Sequence, residues 1–80
     1  MEDIRKFQRI LVEKDGKYGF KDGYGNLVIE CIYDDVKLVR INGNPFIKEA
    51  FVNGYAIVKL KGQWGWIDIN GKFQTQKPKI

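Results

Sequence analysis

The sequence predicts an all-β protein, with two antiparallel three-stranded meanders packed into one small sheet or barrel-like domain. Three observations lead there. Apolar and polar residues alternate at period two in short runs rich in Val, Ile, Tyr, Phe and Trp. The runs are separated by turn chemistry at Asp15-Gly16, Asp22 to Asn26, Asn42-Gly43-Asn44-Pro45, Asn53-Gly54, Lys61-Gly62 and Asn70-Gly71, where Gly and Asn tolerate the positive φ of tight hairpins. Finally, the chain matches itself at an offset of 46 residues: Val12, Gly16, Gly19, Asp22 and Gly25 meet Val58, Gly62, Gly65, Asp68 and Gly71.

Taken in order, the alternation predicts strands over 9–14, 17–21, 27–32, 36–41, 55–60, 63–68 and 72–75. Residues 4–10 are too short and uncapped a stretch for a helix to be expected. The aromatic pairs Tyr18/Phe20 and Trp64/Trp66 are equivalent under the repeat, each with a glycine between them. Two rings therefore share one strand face, and the bare opposite face admits another backbone or ring. A second match, at an offset of 32, brings Asp3-Ile4 onto Asp35-Val36. The two offsets differ because the second unit carries an insertion at 37–50. Eighty residues hold one core, so the chain reads as a single domain: a first repeat over about 1–32, a second over about 33–75, and a basic tail at 76–80. One meander is marginal alone, whereas two can bury their aromatic spines against each other.

Composition removes whole classes of chemistry. There is no His and no Ser, one Cys (Cys31) and one Thr (Thr75). A nucleophile would lack a base, and zinc would lack ligands, so no enzyme activity, metal or cofactor is expected. Calcium would find at most Asp22 and Asn26 in the 22–26 loop. Asp34 and Asp35 are adjacent, so on a strand they point to opposite faces and make no acid/base pair. The longest apolar run is Tyr55-Ala56-Ile57-Val58, too short for a membrane span or a signal-peptide core. A lone cysteine closes no intramolecular disulfide, and the cytoplasm is the expected location. Residues 1–50 carry nine basic and nine acidic side chains, so the net +4 sits wholly in Lys59, Lys61, Lys72, Lys77 and Lys79 against Asp68.

The segments Lys14-Asp15-Gly16-Lys17-Tyr18-Gly19-Phe20 and Lys61-Gly62-Gln63-Trp64-Gly65-Trp66-Ile67-Asp68-Ile69-Asn70-Gly71-Lys72 resemble bacterial WG repeats. Tyr33-Asp34-Asp35-Val36, Phe51, Asn53-Gly54 and Val58 precede the second motif in the order of that family's unit. The first unit keeps Phe7, Val12 and Gly25, with Tyr18 in place of the Trp and Lys21 in place of the Ile. The resemblance implies a β-repeat scaffold of two units and no activity.

The functional expectation is a non-enzymatic scaffold or protein-interaction module, of inhibitor or immunity type, whose partner is another protein and which leaves a homodimer open. The insertion, with its turn at 42–45, is the candidate binding surface, through Arg40, Asn44, Phe46, Ile47 and Lys48. Loops on a rigid β-scaffold commonly carry binding. The competing expectation is a hairpin that extends the sheet and covers its edge. A second function is single-stranded nucleic-acid binding, because Lys61 to Ile67 is similar to the aromatic strand of cold-shock domains. Trp64 and Trp66 would then stack on bases, with Lys59, Lys61 and Lys72 meeting phosphates. In a domain this small, however, the Trp pair is expected to be core.

Overall fold

The computed structural model describes residues 3–41 and 43–79, with Ile41 and residues 44–47 described by their backbone alone. A single 3-10 turn, Ile4–Lys6, opens the described chain, with the Asp3 carboxylate accepting from the Arg5 N–H at 3.1 Å. The first unit then forms β1 (Ile10–Lys14), β2 (Lys17–Lys21) and β3 (Leu27–Tyr33), an antiparallel sheet in the order β1-β2-β3. β4 (Asp35–Val36) follows, then a two-stranded ribbon of β5 (Val39–Ile41) and β6 (Asn44–Glu49). The second unit continues with β7 (Phe51–Val52), β8 (Tyr55–Leu60), β9 (Gln63–Asp68) and β10 (Phe73–Gln74). Its sheet runs β10-β9-β8-β4, with β7 also paired to β8. All pairings are antiparallel, and among the described residues the sheets do not close into a barrel.

The tight hairpins follow from local chemistry. Asp15-Gly16, Asn53-Gly54 and Lys61-Gly62 each have positive φ at both residues, the two-residue turn whose twist matches the flanking strands.

Which way each sheet faces follows from register, since directly opposed residues in an antiparallel pair share a face. In the first sheet, Leu11 opposes Phe20, Tyr18 opposes Tyr33 and Phe20 opposes Ile29. All five belong to the core or pack on it. In the second sheet, Ala56 opposes Ile67, Val58 opposes Gly65 and Val36, and Phe51 opposes Ala56. Ala56, Val58 and Ile67 have no exposed surface at all. The two faces meet at the Phe20 and Phe51 rings, edge to face with centroids 4.9 Å apart. A polar tie reinforces the contact: Arg9 Nε donates to the Ile69 carbonyl at 2.7 Å.

The glycine of each aromatic pair is required by close approach. A Cβ on Gly19 would strike the backbone of β3, at Ile29 O, Glu30 C and Cys31 N. A Cβ on Gly65 would lie 2.5 Å from both Gln74 O and the Phe73 ring. In both units, then, the following strand crosses the aromatic strand where no side chain stands in the way.

Several boundaries differ from the sequence expectation. The strand expected over 36–41 breaks at Lys37-Leu38, because Val36 remains paired to Val58 while β5 leaves for the ribbon. Residues 44–45, expected to be part of a turn, begin β6, with Asn44 already opposite Ile41. The insertion does not extend the main sheet; it pairs only with itself among the described residues. β7 was not expected; Asn53-Gly54 hairpins it onto β8. No helix among the described residues is long and apolar enough to cross a membrane.

A backbone clash at Gly19 sets a clear expectation. Gly19→Ala should cost about 3 kcal/mol or more, the upper end for overpacking. Gly16→Ala, where φ is +78 but nothing lies within 4 Å, should cost about 1–2 kcal/mol. Urea unfolding of both variants checks the ranking, and equal losses would contradict it.

Candidate functional site

The outward face of the second sheet carries the chain's two tryptophans. It is built by the alternate residues of β8 and β9: Tyr55 opposes Asp68, Ile57 opposes Trp66, and Lys59 opposes Trp64. β4 adds Asp35 beside Lys59, β7 adds Val52 beside Tyr55, and β10 adds Gln74 beside Trp66. Trp64 is 45% exposed, and Tyr55, Ile57, Lys59 and Trp66 are half-buried. A groove of about 210 Å³ runs along this face, with Val39 and Ala50 of the ribbon region on one side and Ile57, Tyr55 and Trp66 in its floor. Lys37 and Lys77 are the cations in its wall.

The expectation that both aromatic spines meet in the core is therefore corrected. Tyr18 and Phe20 point inward, whereas the equivalent Trp64 and Trp66 lie on the face opposite Val58 and Ile67. The physical reason lies on the other face of β8 and β9. The second unit has Ile67 where the first has Lys21, and Leu60 where the first has Lys14. That aliphatic face seals the core and leaves the tryptophans outside.

The structure separates the residues singled out in the sequence. Of the ribbon set, Arg40 and Lys48 stand directly opposite one another and are exposed. Two like charges in that position repel. The side chains of Asn44, Phe46 and Ile47 lie outside the described residues. Lys48 also lines a larger groove of about 610 Å³, with Phe7, Ile10, Leu38 and Phe51. Of the second set, Lys59, Trp64 and Trp66 are brought together on one face. Lys61 sits in the turn before β9 and Lys72 beyond its far end, at opposite ends of the strand. Lys61 has a φ of 49 where the other two hairpins place Asp or Asn, types better suited to that conformation. Sequence reasoning missed Tyr55, Ile57 and Lys37. The signal was present, since these residues alternate with the buried Ala56 and Val58 and the half-buried Val36.

The carboxylates serve the backbone. Asp22 accepts from the Tyr24 and Asn26 N–H groups at 2.9 and 3.0 Å, and Asp68 accepts from Asn70 and Lys72 at the same two distances. Repeat-equivalent aspartates thus close repeat-equivalent turns. Asp34 ties the units together through Lys17 Nζ and the Gly62 N–H, the latter at 3.0 Å. These bonds hold its carboxyl below the ordinary value, the Lys17 bond contributing most. Burial, with the Asp68 charge adding to it, pushes the Tyr33 hydroxyl up, and that hydroxyl lies 3.5 Å from the Gly71 carbonyl.

Because the folded pKa of Asp34 is depressed, its contribution is present above the unfolded value and lost as pH falls. Asp34→Asn should lower Tm at neutral pH, with the gap to wild type closing as pH drops through 3.8 and below. Thermal melts across that range check the sign. The two aromatic strands should also differ in kind: Phe20→Ala should cost about 3–5 kcal/mol and Trp64→Ala less than about 1 kcal/mol. Chemical denaturation of each variant measures both.

Comparison with curated proteins found no match, and comparison with solved structures found none. A family model described as WG containing repeat matches residues 18–44 and 46–64, more than half of the chain. Its first match starts at Tyr18 and its second ends at Trp64, so it frames the units at the aromatic strands. With both aromatic-Gly-aromatic strands, their paired turn aspartates and two tandem matches in hand, the chain belongs to the WG-repeat family.

Proposed function

We propose that this WG-repeat chain is a non-enzymatic protein-interaction module that binds its partner through the Trp64–Trp66 face. The observation that carries the reading is that two tryptophans, among the residues with most to gain from burial, stand outside the core on a continuous sheet face. Trp and Tyr are enriched at interface centres, where large rigid side chains bury area at small entropic cost. Val39 and Ala50 wall the groove beside them, so the insertion shapes the surface. Arg40 and Lys48 add a cationic edge beside it, of the kind an inhibitor or immunity-type protein would use. The single half-buried thiol of Cys31 suits a reducing compartment such as the cytoplasm.

A second reading draws on one specific observation: Lys59 lies directly opposite Trp64 on the same face. An aromatic platform with an adjacent lysine is what single-stranded nucleic acid uses.

One pair of measurements separates the two. Affinity capture from a host extract with wild type and Trp64→Lys, quantified by mass spectrometry, should show a protein whose recovery falls at least tenfold in the variant. Fluorescence anisotropy with an oligo-dT probe should show no Trp64-dependent binding. Capture indifferent to Trp64→Lys, with oligo-dT binding that the substitution abolishes, would replace the first reading by the second.

A further inference from the structure

The two sheets pack through unlike faces. The first sheet contributes the face bearing its aromatic pair, and the second contributes the opposite face, bearing Ala56, Val58 and Ile67. An interface that joins two different patches of a repeated unit is heterologous and does not use itself up. Each unit has one face of each kind, so one of each is left over. The second sheet leaves its aromatic face, with Trp64 45% exposed and Val52 36% exposed. The first sheet leaves the face opposite Phe20, where Ile10 opposes Lys21, Val12 opposes Gly19 and Lys21 opposes Leu27. Ile10 and Leu27 are exposed on it at 44% and 50%.

These leftover faces are counterparts of the two that already meet. Trp64, Trp66 and Ile57 occupy the repeat positions of Tyr18, Phe20 and Leu11, while Ile10, Val12 and Leu27 occupy those of Ala56, Val58 and Phe73. The differences between the pairs are matched in chemistry. Where the inner contact puts Ile67 and Leu60 against an aromatic face carrying Tyr and Phe, the outer positions hold Lys21 and Lys14 on one surface and two tryptophans on the other. A lysine over the face of Trp, the best cation–π acceptor, gains where a lysine over Phe gains less. Its methylene stem also covers apolar area.

We infer that the Trp64–Trp66 face of one molecule takes the Ile10–Val12–Leu27 face of a second copy of this chain, continuing the internal interface head to tail. This rests on the reading of that face as a protein-binding surface. The partner is then a like sheet, aliphatic at its centre and edged by Lys14 and Lys21, with Lys17 already held by Asp34.

Head-to-tail contact has a signature that symmetric contact lacks. Trp64→Lys blocks one face and Leu27→Lys the other, both at exposed positions; Trp64→Gln and Leu27→Gln serve if either lysine variant fails to show a wild-type melt. In sedimentation velocity, wild type should show a sedimentation coefficient that rises with concentration, and each variant alone should lose that rise. An equimolar mixture should regain it and stop at a one-to-one dimer, because Leu27→Lys retains the tryptophan face and Trp64→Lys retains the other. A wild type that stays monomeric at millimolar concentration overturns the inference. So does a Leu27→Lys protein that still pairs with itself, which would mean a symmetric tryptophan-face dimer, and so does self-association that survives in both variants. A monomeric wild type that still captures a different protein through Trp64 overturns this inference alone; Trp64-dependent oligo-dT binding without capture overturns the underlying reading as well.

Discussion

The seating of the first sheet's aromatic face on the Ala56–Val58–Ile67 face of the second is the contact around which the molecule is arranged. The Phe20 and Phe51 rings meet edge to face with centroids 4.9 Å apart, and Ile29 lies beside Gly71, where a Cβ would make ordinary contact with its side chain. Tyr33 reaches across to the same turn. Eighty residues hold one core of this kind, and most apolar burial comes from it. Among the described residues neither meander has a second apolar partner of its own, so the units stand or fall together.

That single contact explains where the proposed binding surface lies. A meander with apolar residues on both faces can bury only one of them in a two-unit stack. The first unit spends its aromatic face inside and blunts its other face with Lys14, Lys17 and Lys21. The second unit spends its aliphatic face inside and is left with tryptophans outside. Asp34 fixes the relative placement of the units by tying β2 through Lys17 to the β8–β9 turn through Gly62. The ribbon at β5–β6 then hangs beside the open face and walls it, rather than covering the sheet edge.

Much of this architecture was legible in the sequence. Strands at 17–21, 55–60 and 63–68 coincide with β2, β8 and β9 because two-residue turns at Asp15-Gly16 and Lys61-Gly62 leave no latitude in register. The bare faces at Gly19 and Gly65, and the turn roles of Asp22 and Asp68, were equally readable, since both are local. What was not legible depends on partners distant in sequence. Alternation in Trp64-Gly65-Trp66-Ile67 says that the rings share a face and that Ile67 takes the other; it does not say which face finds the first unit. Residues 36–41 alternate except at Leu38-Val39, where two apolar residues adjoin, and the chain divides there into β4 and β5 while Val36 stays paired with Val58. Asn44-Pro45 carries turn residues, yet the reversal is complete before Asn44, which already pairs with Ile41. In the ribbon Arg40 and Lys48 stand opposite one another, while Tyr55 and Ile57, read as ordinary strand residues, lie on the face of the tryptophans.

The unequal fate of the two aromatic pairs can be measured with light. Trp64 and Trp66 are the chain's two tryptophans, so a Trp66→Phe protein reports on Trp64 alone. Its acrylamide quenching constant in the native state should approach that of the same protein in urea, with little shift in emission on unfolding. A native Trp64 that is blue-shifted and protected from acrylamide would place the second aromatic strand in the core and contradict the arrangement of faces on which the proposed binding surface rests.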